Sequence, residues 1–299
     1  MTMSPIWQTW VFAITATASI AVMTVLQPNL TVQILLLVPF VAIFGLPHGA
    51  LDLPIAQAIW PLNGWQGTAY FVALYLGLAG AVILAWTYFP GFSLFAFLIY
   101  SAIHFAGDWE DAPVILRWTG GAATIGAPSL FHRDEVATIF GYLAPMPPAT
   151  LAATVLACVG AVALVATLII VVSQPAVRTR AVLEQIVLWV AALCLSPLIY
   201  FIVYFCALHS VRHMTLTLNW IDDRRTAVHL SIALSVVTVL TGFASIGIIQ
   251  GVGLETIENT ISKTVFIGLA ALTVPHLILV DQFRHGAATS TLRQFKNTS

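Results

Sequence analysis

The chain has 299 residues, of which 60% are hydrophobic and 8% charged, whereas an ordinary soluble domain carries about 25% charged residues. Eleven Lys and Arg against 12 Asp and Glu leave a formal net charge of -1. That is too little charge to cover a water-soluble globule, and it offers no basic stripe to a nucleic acid. The apolar excess also excludes disorder, which leaves an integral membrane protein.

Backbone in lipid must satisfy its own hydrogen bonds, so each apolar run of about 17–25 residues is read as a helix. Eight runs are present, in chain order: Trp7–Leu26, Leu30–Phe44, Thr68–Phe89, Phe92–Phe105, Leu151–Val172, Val182–Ala207, Ala227–Ile249 and Thr264–Val280. The first has no cationic start and no small-residue cleavage pattern before it, so it is expected to be a retained span. The second and fourth are short and are expected to extend by a turn into the polar motifs at their C-terminal ends. Pro28, Pro90-Gly91, Pro147-Pro148 and Pro175 punctuate the ends. Val114–Phe131 holds Arg117, Gly120, Gly121, Gly126 and Pro128, a poor composition for a lipid-exposed helix. It is expected to be re-entrant or interfacial and buried in protein. With no linker, low-complexity tract or full repeat, residues 1–299 form one domain. The expected class is an all-α polytopic membrane helix bundle of about eight spans plus that one segment. Cys158, Cys194 and Cys206 sit in apolar runs without metal-like spacing and are read as small buried hydrophobes.

Ionisable residues within spans are expensive and point to function. Five of the eight histidines close an apolar run. His48 lies in Gly-Leu-Pro-His-Gly-Ala-Leu-Asp (45–52), His104 in Ser-Ala-Ile-His-Phe-Ala-Gly-Asp (101–108), His209 and His213 in 206–213, and His276 in 273–281. His209 and His213 are four residues apart. On a helix they share a face with about 6 Å of rise between them, so both imidazoles can reach one metal ion. Asp52 and Asp108 lie four residues after His48 and His104. A persisting helix would let each carboxylate accept the N–H of its own histidine and orient the ring. His276 comes directly after Pro275 and is read as a cavity-lining polar neighbour of the site. His132, His229 and His285 are read as surface residues.

If His48, His104, His209 and His213 meet, the second, fourth and sixth runs end on one membrane face. Residues 107–150 must then cross zero or two times. The site face would carry Arg117, Arg133, Arg212, Arg224, Arg225, Arg284, Arg293 and Lys296, against Arg178, Arg180 and Lys263 on the other face. That imbalance places the site near the cytoplasmic face of a multi-pass cell-membrane protein. Trp7, Trp10, Trp60, Trp65, Trp109, Trp118 and Trp220 fall near the expected interfaces. Arg224-Arg225 reads as a topology anchor, and Arg212 as a structural partner of Asp108 or Asp222.

Four neutral imidazoles on an octahedral ion leave two open positions, where iron(II) could take dioxygen beside a substrate. Imidazole alone leaves zinc and copper open. The glutamate of HExxH is absent, as are the repeated histidine boxes of a di-iron desaturase. Phe40, Phe44, Tyr100, Phe105, Tyr204 and Phe205 lie close in sequence to the histidines and suggest a greasy cavity for a long lipophilic molecule. No glycine-rich or cationic loop offers a nucleotide site.

At Pro47-His48-Gly49-Ala50-Leu51-Asp52, His104-Phe105 with Asp108, His209…His213 and Pro275-His276 the sequence resembles the bacterial and archaeal Brp/Blh family of membrane β-carotene 15,15'-dioxygenases. These pieces run through positions 45–281 in order, and Ala106 stands where the family pattern has glycine. The resemblance implies an Fe(2+) enzyme that splits the central double bond of β-carotene with O2 into two retinal molecules. It implies His48, His104, His209 and His213 as iron ligands, and a functional link to a retinal-binding rhodopsin. A transporter or channel with a His/Asp ion or proton relay is the alternative. It requires polar residues spread through the bilayer depth and inverted repeats. An assembly factor without chemistry is a third reading.

Overall fold

The computed structural model describes residues 5–60, 62, 64–110, 112–173, 180–253 and 255–297, with side chains up to residue 280. Pro175 and Arg178, and the side chains of Arg284, His285, Arg293 and Lys296, lie outside the described residues. Among the described residues eleven helical runs form the bundle: α1 (Ile6–Leu26), α2 (Leu30–Ile59), α3 (Gly64–Tyr88), α4 (Pro90–Trp109), α5 (Val114–Phe131), α6 (Arg133–Gly141), α7 (Met146–Ser173), α8 (Arg180–Cys194), α9 (Pro197–Trp220), α10 (Arg224–Val252) and α11 (Ile257–Asn297). Among the described residues eight of these are long and apolar enough to cross a membrane: α1 to α4, α7, α9, α10 and the first part of α11. The all-α polytopic membrane class therefore holds. The second and fourth runs extend into their histidine motifs as expected.

Two segments depart from the expected path. Val114–Phe131 is buried in protein, as its glycines required, but it is a continuous helix that runs back along α4. A Cβ on Gly121 would lie 2.3 Å from the Ala102 carbonyl oxygen, and one on Gly126 would lie 2.6 Å from Gly160 N. Glycine is thus what lets α4, α5 and α7 touch backbone to backbone. Trp86 Nε1 donates to the Leu143 carbonyl at 2.8 Å, so α7 starts at the end of the bundle where α3 finishes. Residues 107–150 consequently cross once. The run Val182–Ala207 restores the count by folding in two. Ser196 is extended (φ -60, ψ 152) and Pro197 starts a new helix. Proline has no N–H to continue the ladder and disfavours helical backbone just before it. So α8 leaves the histidine end and α9 returns to it.

Trp7, Trp10, Trp65, Trp118 and Trp220 are exposed around that end, as an interfacial belt requires. Trp109, expected with them, is instead buried. Its ring stacks on Tyr204 with centroids 6.2 Å apart. The extra crossing also exchanges two cations. Arg133 goes with α5 to the far end, while Arg180 stands beside Glu184 near the histidines, at 3.5 Å. Cys158 and Cys194 are exposed on the outer surface and only Cys206 is buried.

Candidate active site

Two π-helical turns build the site, Val41–Gly45 in α2 and Phe205–His209 in α9. Each wide turn adds a residue to the ladder and rotates the helix beyond it, a device common at functional sites. In α2 the cause is readable. Pro47 has no N–H to offer the carbonyl four residues earlier, so an α-helical ladder cannot pass. The two turns pack together. A Cβ on Gly45 would lie 2.6 Å from Cε1 of the Phe205 ring, so only glycine allows this approach.

This packing gathers five histidines from four helices. Ring centroids are 5.2 Å apart for His48 and His209, 5.4 Å for His48 and His213, 4.6 Å for His104 and His209, and 6.4 Å for His209 and His213. All four expected site histidines are therefore neighbours. His276 is as central as they are, at 5.7 Å from His48, 5.7 Å from His104 and 5.0 Å from His213. The sequence expectation had it only as a cavity-lining polar neighbour after Pro275, 63 residues beyond His213. His132 lies elsewhere, with its Nε2 3.1 Å from the Ala192 carbonyl, and His229 is exposed.

The aspartates orient histidines, but not those expected. Asp52 takes the Nδ1–H of His276 at 2.6 Å, and Asp108 takes that of His209 at 3.0 Å. The expected pairs, Asp52 with His48 and Asp108 with His104, fail for a local reason. The helix breaks at Ala50-Leu51 between the first two, and it tightens into a 3-10 turn at Gly107–Trp109 between the second two. The i,i+4 face is lost in both places. His48 Nδ1 instead donates to the Gly45 carbonyl and lies 3.1 Å from Ser210 Oγ. His213 Nδ1 lies 3.4 Å from Thr217 Oγ1. Tyr75 donates to Asp52 at 2.7 Å and Tyr204 donates to Asp108. Neither tyrosine carries a sequence signal for this role, since each lies far along the chain from its carboxylate.

Beneath the histidines Arg212 is buried. It donates to the carbonyl of Asp108, to Glu184 Oε1 at 2.7 Å and to Gln8 Oε1 at 3.3 Å. Its expected link to Asp108 thus runs through the backbone, and its carboxylate partner is Glu184. Thr9 Oγ1 donates to the same Glu184 oxygen at 2.5 Å. The first turn of α1 is in this way tied under the site.

Among the described residues no group of three or more His, Cys, Asp or Glu side chains is already spaced to hold a metal ion. The donor chemistry nevertheless suits one. Carboxylate or carbonyl acceptors fix the proton of His48, His209 and His276 on Nδ1, which leaves each Nε2 with a lone pair. Nε2 of His276 is buried with no hydrogen-bond partner.

A cavity of about 410 Å³ opens from the imidazoles into the bundle. His48, His104, His276, Asp52 and Tyr75 are among its few polar groups; most of its wall is apolar, including Phe105, Tyr204 and Phe205 of the expected aromatics. Phe40 and Phe44 instead stack on each other at the outer surface, and Tyr100 donates to the Val274 carbonyl at 3.3 Å. Leu76 of α3 and Val237 of α10 line the cavity and are also 60% and 59% exposed. The cavity wall is therefore open at these two helices.

A family model described as Beta-carotene 15,15'-dioxygenase matches residues 40–284. The chain belongs to the β-carotene 15,15'-dioxygenase family. The chain is accordingly an enzyme of that family. It is 34% identical over 252 residues to the β-carotene 15,15'-dioxygenase of uncultured marine bacterium 66A03, covering 81% of this chain and 90% of the relative. It is 28% identical over 207 residues to the probable β-carotene 15,15'-dioxygenase Blh of Halobacterium salinarum, covering 60% of each. No solved structure matches the chain. Family membership and the gathering of the polar groups at one end of the bundle weigh against the transporter and assembly-factor readings.

Proposed function

We propose that this enzyme cleaves the central double bond of β-carotene with O2 into two retinal molecules at an Fe(2+) site held by His48, His104, His209 and His213. The observation that carries the reading is the convergence of these four side chains, from three helices, beside an apolar cavity that His48 and His104 line. The Nε2 atoms of His104 and His209 are 3.0 Å apart, close enough for both to serve one ion. Iron supplies the means to activate O2. The reaction breaks one C=C bond and places one oxygen atom on each carbon, so no external reductant is consumed.

The protein contributes position. The apolar walls take the polyene and exclude water, and the opening between α3 and α10 admits it from the bilayer. Contact along the chain decides which double bond lies beside the imidazoles, so regiochemistry is a matter of placement. Asp108, held by Tyr204 and by Arg212 through its carbonyl, keeps the His209 ring turned with Nε2 inward.

The site lies at the cytoplasmic face of the cell membrane in this reading. Arg117, Arg180, Arg212, Arg224 and Arg225 are at its end of the bundle, against Arg133 and Lys263 at the other, among the described residues. Retinal released there would supply a retinal-binding rhodopsin in the same membrane. The test is purification, iron analysis and incubation with β-carotene in air. The wild type is expected to carry iron and form retinal. His209→Ala is expected to lose both while remaining in the membrane, and full activity of that variant would remove the iron reading.

A further inference from the structure

We propose that His276 is a fifth imidazole donor to the metal centre, with Asp52 and Tyr75 as the positioning residues that set its ring. The inference rests on the iron reading above and extends its ligand set. Three independent observations carry it. The ring of His276 borders those of His48, His104 and His213 at centroid distances of 5.7, 5.7 and 5.0 Å, within the range spanned by the four expected ligands themselves. Its Nδ1–H is taken by the Asp52 carboxylate at 2.6 Å, which leaves Nε2 as a bare acceptor. That Nε2 is buried and has no hydrogen-bond donor. A histidine retained only for helix packing would use both ring nitrogens, because a buried acceptor without a partner is costly. A cation gives the lone pair its partner.

The support behind the ring is complete. Tyr75 donates to the second Asp52 oxygen at 2.7 Å, and its hydroxyl also lies 3.1 Å from the Leu272 carbonyl, one turn before His276 on α11. Asp52 begins the helical segment after the break in α2, so α2, α3 and α11 are tied together around this one imidazole. A carboxylate that receives the outer N–H of a metal-bound imidazole fixes its tautomer and raises its basicity. His276 would leave one open position on a six-coordinate ion instead of two.

The experiment compares wild type, His276→Ala and Asp52→Asn, each loaded anaerobically with ferrous iron. Iron affinity is read by competition with a chelator, and imidazole number by X-ray absorption at the iron edge. The wild type is expected to show five imidazoles and His276→Ala four. Asp52→Asn is expected to bind iron about 10- to 100-fold more weakly, and His276→Ala to be weakened at least as much. Wild type with iron and only four imidazoles, or iron affinity unchanged in both variants, overturns the fifth donor and leaves the proposed function standing. A wild type that binds no iron overturns both. The wild-type imidazole number decides the matter if His276→Ala fails to fold.

Discussion

Removing Glu184 tests the buried pair beneath the histidines. Glu184 is fully buried and Arg212 is 2% exposed, with 2.7 Å between Arg212 NH2 and Glu184 Oε1. Glu184→Ala strands the guanidinium in a medium that cannot hydrate it. Breaking such a pair from one side costs about 3–5 kcal/mol. At about 1.4 kcal/mol per tenfold change, that is roughly two to four powers of ten in the folded-to-unfolded ratio. The loss is large beside a total stability of about 5–15 kcal/mol. The assay is thermal unfolding in detergent with size exclusion as the readout, comparing Glu184→Ala, Arg212→Met and the double variant Glu184→Leu with Arg212→Met. Both single variants are expected to melt well below wild type, and the double variant to regain most of the loss, because neither member of the Arg212–Glu184 pair is then buried without the other. A Glu184→Ala variant that melts with the wild type would refute the reasoning. So would a double variant whose loss equals the sum of the singles.

The packing sets two further outcomes. Gly126→Ala must push α5 from α7, because its Cβ would meet Gly160 N at 2.6 Å and Gly160 Cα at 2.8 Å. Overpacking of this kind costs about 1–3 kcal/mol, and an obstacle made of backbone puts it at the upper end. Gly80→Ala on α3, where a Cβ meets nothing within 4 Å, is the control and is expected to be neutral or stabilising. Equal melting shifts for the two would sink the argument. Val237→Trp is expected to narrow the lateral opening and lower kcat/KM for β-carotene about tenfold or more while iron content stays at the wild-type level. Unchanged kinetics would mean that substrate takes another route.

Much of this protein was legible along the chain because lipid simplifies the rules. Apolar runs of membrane length must be helices, so the spans, the class and the clustering of histidines at run ends could be read directly. The i,i+4 spacing of His209 and His213 was equally local. The pairings were not. Asp52 with His276 and Asp108 with His209 join residues 224 and 101 positions apart, across helix breaks that cancel the nearest-neighbour expectation. Proline marks where a ladder must fail, yet it does not say whether the chain widens into a π turn, as before Pro47, or reverses, as before Pro197. The crossing of α5 and the reversal at Ser196 escaped the hydrophobic pattern for one physical reason. Hydropathy records how greasy a segment is, whereas a helix walled by other helices is held by close contact at Gly121 and Gly126 and by buried polar partners such as Gln185. The sequence by itself determined an all-α membrane bundle with its histidines at one end. Only the tertiary structure decided which carboxylate serves which ring, and that His276 stands among them, because those choices depend on how separate helices rotate when they pack.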